Sequence, residues 1–282
     1  MGRKRREPTR TLLFLIAVPL GMLLGWMAGC DKITSTFRAI RKSVTAKKEH
    51  GAVGEPKRRI VPPGPKLAII LDDLGSDREA AAAIFSLREP LTISVLPFHS
   101  HSTEIAEEAK RQGVEVMLHL PMQAVGNELP EAQQLHSGMS EREVAGELSR
   151  MLANVPTAVG VNNHEGSLAT TDGKLMGELM PLLRRRSLYF VDSRTTVATV
   201  AFDTAQQAGL RCGFRNVPFL DDIENLAAIR KQLELAIHGA EEKGSAIAIG
   251  HPHKETLEAL RELLPQARKQ GVQLVLVSEL VR

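Results

Sequence analysis

The sequence predicts an α/β fold in which a parallel sheet is wrapped into a distorted (β/α) barrel, and three observations predict it. From Lys66 onward, short apolar runs alternate about eight times with longer helical stretches. The runs are unbroken, as in Leu67–Leu71, which reads as strand buried on both faces, the habit of parallel sheets. The unusual polar residues follow the C-terminal ends of these runs, where α/β folds bind ligands. Length and unit count favour the barrel, and a doubly wound open sheet is the alternative.

In chain order, Leu67–Leu71 is the first strand and delivers Asp72 and Asp73. Asp77–Leu87 is alanine-rich and helical. Leu91–Leu96 is the second strand, ending at His99 and His101, and Thr103–Gln112 is a helix stopped by Gly113. Val114–Leu120 is the third strand and carries His119. A polar loop, Gln123–Met139, precedes a helix opened by the capping-box pair Ser140 and Glu143. Ala158–Asn162 is the fourth strand, running into Asn163 and His164, and Asp172 caps the helix that reaches Arg186. Leu188–Val191 is the fifth strand, ending at Asp192 and Arg194, with a helix to Gln207. Leu210–Phe214 is a sixth, weaker strand before Arg215, Asp221 and Asp222. Ile223–Lys243 is the longest helix, Ala246–Ile249 the seventh strand, and His251 and His253 follow it. Lys254–Gln270 is helical, and Val272–Val277 is the last strand.

The chain has 282 residues and a net charge of +3, with much of the positive charge in the first sixty. Aromatics are sparse and no basic stripe is interleaved with them, which argues against nucleic acid as a partner. Residues 1–30 read as a targeting element: a basic start, then the uncharged apolar stretch Thr11–Gly29, about long enough to cross a bilayer of ~30 Å. Met27-Ala28-Gly29-Cys30 is similar to a bacterial lipoprotein cleavage site. Met27 suits that site less well and favours an uncleaved anchor. Either way the rest of the chain is expected outside the cytoplasm, tethered to the membrane and facing the periplasm or the cell exterior. Residues 31–65 are a polar, proline-stiffened linker, and residues 66–282 form the folded domain. Cys212 is expected as a buried free thiol.

The chemistry is expected on the rim where strands hand over to helices. Asp72, Asp73, His99, His101, His119, Asn163, His164, Asp192, Arg194, Arg215, Asp221, Asp222, His251 and His253 all fall there. The opposite rim carries Arg88-Glu89, Arg111 and Arg185-Arg186, an ordinary solvated face. One histidine at a strand end is usually structural. Six histidines with several carboxylates on one rim are hard to explain as packing. A mixed Asp/His set suits a divalent transition metal, zinc above all, which as a catalytic ion takes three protein ligands and leaves one position open. One carboxylate, His119 and His164 satisfy that count. Asp72 and Asp73 are adjacent, point in opposite senses if both are extended, and so are expected to have different jobs. Arg215 is open between a substrate carboxylate and pairing with Asp221 or Asp222, and Asn162 and Asn163 between substrate contact and turn stabilisation.

The segments IILDDLG, LHLPM, GVNNHEGS, FVDSRTT and AIGHPH, in this order and spacing, resemble the divergent polysaccharide deacetylase family over about Lys66 to Ser278. The resemblance implies a distorted (β/α) barrel and metal-dependent hydrolysis of an acetyl group on an envelope carbohydrate. It implies Asp72 as catalytic base, Asp73 and His119 as metal ligands, His251 as the acid that protonates the leaving group and Asp192 as a supporting residue. The wider superfamily has a second metal histidine four positions after the first, where this chain has Gln123. His164 is the expected replacement, with Asn163, Arg194 and Arg215 as substrate contacts. The competing expectation is a non-catalytic envelope module that binds glycan or protein through the same rim. Hydrolysis of a phosphate ester ranks last, since no phosphate-cradling glycine loop is present.

Overall fold

The structure is a computed structural model, and residues 64–126 and 131–282 are described. The leader, and the linker up to its last two residues, lie outside the described residues. Among the described residues, no helix is long and apolar enough to cross a membrane.

Among the described residues, eight strands and seven α-helices follow one another in strict alternation. They are β1 (Lys66–Leu74), α1 (Arg78–Phe85), β2 (Thr92–Val95), α2 (Ser102–Arg111), β3 (Glu115–Met122), α3 (Glu141–Asn154), β4 (Gly160–Glu165), α4 (Gly173–Arg185), β5 (Tyr189–Asp192), α5 (Ala201–Gln207), β6 (Cys212–Phe214), α6 (Leu226–Lys243), β7 (Ser245–Gly250), α7 (Lys254–Lys269) and β8 (Gln273–Leu274). All pairings between strands are parallel, in the order β6-β5-β4-β3-β2-β1-β7, with β8 against the start of β1. Backbone bonds from Asn216 and Leu220 to Ile247 and Ile249 carry the β6–α6 loop along β7, so the sheet is nearly closed into a barrel.

Several expected bounds shift: β1 runs on to Leu74, β4 spans Gly160–Glu165 and so contains Asn163 and His164, and β6 begins at Cys212. The last strand is two residues long rather than Val272–Val277, because the chain turns into a short 3-10 helix at Val277–Glu279. The longest helix begins at Leu226, not Ile223, because the Asn225 side chain accepts from Ala228 N–H and caps it there.

Strand alternation sorts the side chains into two layers. Leu67, Ile69 and Leu71, with Ile93, Val95, Leu118, Val161 and Phe190, face outward into the layer beneath the helices. Ala68, Ile70, Met117, Tyr189, Val191, Ile247 and Ile249 face inward, where Val275, Val277 and Val281 of the C-terminal segment fill the bottom of the barrel. Tyr189 fits there because Gly160 opposite has no side chain: a Cβ would lie 2.2 Å from the ring. Continuing the inward set up each strand gives Asp72, Ser94, His119, Asn162 with His164, Ser193 and His251. The fold therefore plugs one mouth of the barrel with aliphatic packing and lines the other with polar atoms. Cys212 is a buried free thiol, as expected.

Candidate metal centre and active site

The inward layer ends in a chain of hydrogen bonds that orients Asn162 and His119. Asp72 is buried and, as a carboxylate, can only accept. Asn162 therefore turns its Nδ2 toward it, 2.9 Å from Oδ1 and 3.1 Å from Oδ2. That leaves Asn162 Oδ1 to accept from Ser94 Oγ and, at 2.9 Å, from His119 Nδ1. With its proton on Nδ1, His119 presents a lone pair on Nε2.

Three atoms now converge. His119 Nε2 lies 3.1 Å from Asp73 Oδ1 and 3.2 Å from His164 Nδ1, and His164 Nδ1 lies 3.1 Å from Asp73 Oδ1. Ligands at ~2.0–2.1 Å from a tetrahedral ion stand about 3.3 Å apart, so this triangle has the size of a zinc face. The residues fit a divalent transition metal by donor chemistry as well as by spacing: two imidazoles, one carboxylate, and one imidazole oriented from behind by Asn162. The same point favours positive charge. His119 and His164 hold the Asp73 carboxyl far below the ordinary range, although burial alone would raise it.

Asp73 reaches the triangle by breaking the alternation. Its φ is 60°, and the β1–β2 register shifts between Leu71 and Leu74. A non-glycine residue in the left-handed region costs energy and is sustained by its surroundings, here two histidines. The two aspartates are thus not on opposite faces. Both turn to the barrel mouth, Asp72 by parity and Asp73 by the bulge. Asp72 Oδ2 stands 3.6 Å from His119 Nε2, beside the triangle. Burial raises the Asp72 carboxyl above its ordinary value, against the pull of His119.

His251, at the end of β7, faces the same point, with Nε2 3.7 Å from Asp73 Oδ2. Its Nδ1 bonds Asp221 Oδ1 at 2.8 Å, and Asp221 Oδ2 accepts from His251 N–H at 2.6 Å and Thr256 Oγ at 2.8 Å. Burial works to lower the His251 pKa, but this carboxylate lifts it to about 9.

The remaining expected site residues go elsewhere. Asp192 is outward by parity and buried; it accepts from Arg194 N–H, Thr199 Oγ and Phe202 N–H. It holds the β5–α5 loop together, while the carboxylate bonded to the His251 ring is Asp221. Asn163 is likewise outward: its amide bonds the Glu165 carbonyl and Ser193 N–H, away from the barrel mouth. Arg215 donates to the carbonyls of Ser193, Val217 and Arg194, which ties the loops after β5 and β6 together, and it lines a cavity with Asp222. Arg194 stacks on the Phe214 ring, 3.5 Å from its centre, and lines a cavity of about 510 Å³ with Thr196, Thr199 and Asp222. Gln123 accepts from Ser137 N–H and pins the polar loop; His164, opposite Pro121 in the β3–β4 register, takes the third place of the triangle. His99 and His101 are rim residues bonded to Ser76 and Arg78. The sequence assigns Ser94 no role, places Asp221 only as a possible partner of Arg215 where the structure sets it against His251, and reads Asn162 as a turn or substrate residue. The period-2 pattern that places Asn162 inward with His164 was available to find it.

The model of the divergent polysaccharide deacetylase family matches residues 69–281. An uncharacterised protein of Haemophilus influenzae is 40% identical over 196 residues, 70% of this chain and 70% of its own length. Among solved structures, an uncharacterised protein from Agrobacterium tumefaciens superposes with a TM-score of 0.73 at 23% identity, over 77% of this chain and 89% of that one. The catalytic domain of a peptidoglycan N-acetylglucosamine deacetylase from Eubacterium rectale gives 0.52 at 13% identity, over 77% and 90%. A CE4 family pseudoenzyme from Bacillus anthracis gives 0.50 at 14%, over 78% and 66%, so the shared fold occurs with and without activity. The family match spans nearly all of the described residues, and this chain belongs to the divergent polysaccharide deacetylases.

Proposed function

We propose that the protein is a metal-dependent hydrolase that removes acetyl groups, as amide or ester, from an acetylated envelope polysaccharide or oligosaccharide. One observation carries the reading: Asp73, His119 and His164 present three ligand atoms to one point, flanked by Asp72 and by the Asp221–His251 pair. A module that only bound glycan would not need a buried carboxylate of raised basicity beside a metal-sized triangle. The family match supports the substrate class.

Zinc held by Asp73, His119 and His164 would supply polarisation of the acetyl carbonyl and a water of lowered pKa, near ~7. Asp72 accepts the proton of the attacking water, kept in place by the two Asn162 bonds. His251 carries a proton on Nε2 toward the departing sugar nitrogen or oxygen, and Asp221 holds the ring in that orientation. Arg194, exposed and stacked on Phe214, contacts the glycan beyond the reacting group. The basic start and apolar stretch of residues 1–30 support an exported domain tethered to the cytoplasmic membrane.

The test is acetate release by the zinc-loaded full chain from a panel of N- and O-acetylated glycans. Asp72→Asn is expected to keep its zinc and lose about 10²–10⁴-fold in turnover. If metal-loaded protein frees no acetate from any of them, the glycan- or protein-binding module is the better assignment.

A further inference from the structure

We infer that the molecule has a second divalent-cation site, made by Asp221, His251 and His253 with Glu224 at its edge. It lies on the Nδ1 edge of the His251 ring, whereas the Nε2 edge faces the Asp73 triangle. One ligand atom from each of Asp221, His251 and His253 falls within 4.8 Å of the other two. The four residues come from two places that the barrel brings together, the β6–α6 loop and the end of β7. Leu220 N–H bonds the Ile249 carbonyl, and a Cβ on Gly250 would meet Asp221 Oδ2 at 3.2 Å, so the two segments are pressed side by side.

The ligands are prepared for an ion in different ways. Asp221 is buried, and Thr256 Oγ and His251 N–H hold its Oδ2, which aims Oδ1 at the imidazole. Outer partners of that kind orient metal ligands. His253 is part exposed, and Glu224 Oε1 stands 3.7 Å from its Nε2. A cavity of about 530 Å³ opens over the group, lined by Asp73, Asp77, Asp221, Glu224, His251 and His253. It has room for a hydrated ion, and its carboxylates draw a cation in. Asp77 is spent on capping α1, which leaves Glu224 as the free carboxylate nearest His253. Two imidazoles with one or two carboxylates make a zinc-type set.

Binding exchanges one cation for another. The ion takes the place of the proton on His251 Nδ1, that proton leaves to solvent, and the Asp221–His251 hydrogen bond becomes a pair of bonds to the metal. On the deacetylase reading, on which this consequence alone rests, excess zinc then slows turnover because His251 loses its orienting partner. The site itself does not depend on that reading.

The experiment is zinc binding to the chelator-stripped full chain by equilibrium dialysis and elemental analysis, with cobalt absorption as an independent readout. Two equivalents are expected for the wild type. Asp73→Asn should remove one, and His253→Ala should remove the other while leaving the first. Glu224→Gln, a change at an exposed edge, should weaken the second equivalent by about 10-fold. A single equivalent that disappears in Asp73→Asn, or two equivalents that survive His253→Ala, overturns the second site. These stoichiometries decide the matter whether or not acetate is released. Where it is, inhibition by excess zinc should vanish in His253→Ala.

Discussion

At the ends of β1, β3 and β4, the side chains of Asp73, His119 and His164 turn their ligand atoms on one another. At the ends of β5 and β6, that of Asp192 is spent on its own loop and that of Arg215 on carbonyls of both loops, Ser193 and Arg194 after β5 and Val217 after β6. Both regions are polar, both sit on the same rim, and their residues look equally catalytic in a sequence. The first leaves atoms that only a cation or a proton satisfies. The second satisfies itself, carboxylate to N–H and guanidinium to carbonyl. A polar residue at a strand end is thus a candidate ligand when its partners are themselves acceptors, and a scaffold residue when its partners are backbone.

The largest effect that could break this contrast is on metal binding. His164→Ala should cost zinc affinity more than the ~10–100-fold typical of losing an outer partner, because a direct ligand goes. His119→Ala should match it. Neither Asp192→Asn nor Arg215→Ala should alter zinc content. Dialysis against zinc, read by elemental analysis, checks all four. Full occupancy in His164→Ala would dissolve the distinction between the two regions.

The contrast also shows how much was legible in the residues. Eight strands and the functional rim followed from apolar runs and their polar ends, because a sheet buried on both faces writes itself as such; the order of strands in the sheet did not. The inward parity of His119, His164 and His251 was equally readable: counting in twos from Met117 reaches His119, and from Ile249 reaches His251. The same count turns Asn163 and Asp192 outward, and applying it to them would have removed both from the site. Asp73 was not legible that way, since its place depends on a bulge with φ of 60°, which no local signal announces. Nor was Asp221, which lies in a loop and meets His251 only through barrel closure. The last strand is shorter than its apolar run because Val275 and Val277 are apolar for another reason: they plug the barrel floor.

A smaller effect sharpens the boundary of the reactive region, at the Asp221–His251 pair. Burial alone would raise the Asp221 carboxyl, yet the bonds from His251 hold it below the ordinary range, while His251 rises from 6.5 to about 9. In metal-free protein the histidine's contribution to stability is full below pH 6.5 and is lost as pH rises through about 9. The aspartate's contribution is present above the ordinary carboxylate range and is lost on acidification. The pair therefore stabilises most between those limits. Asp221→Asn should bring the His251 titration, followed by ring-proton NMR, back toward 6.5. It should also flatten the pH dependence of urea unfolding and slow acetate release by about 10–100-fold. An unmoved His251 titration would make Asp221 a bystander.

The smallest effect on chemistry belongs to Asp192, and there the contrast can be tested from its other side. Its carboxylate is fully buried, with Arg194 N–H at 2.8 Å and Thr199 Oγ at 2.9 Å on separate oxygens and Phe202 N–H at 3.3 Å. An asparagine fits the same space but replaces one acceptor with an NH₂ group facing a donor. One buried donor is then left without a partner, which costs about 1–3 kcal/mol. Asp192→Asn should accordingly lower the urea midpoint while zinc content stays at the wild-type level. Turnover should change far less than in Asp72→Asn, because the altered atoms lie on the outward face of β5 and reach the barrel mouth only through the loop. The reverse pattern, wild-type stability with turnover lost, would place Asp192 in the chemistry. The β5–β6 quarter of the rim would then have to be counted as part of the active site and not as its support.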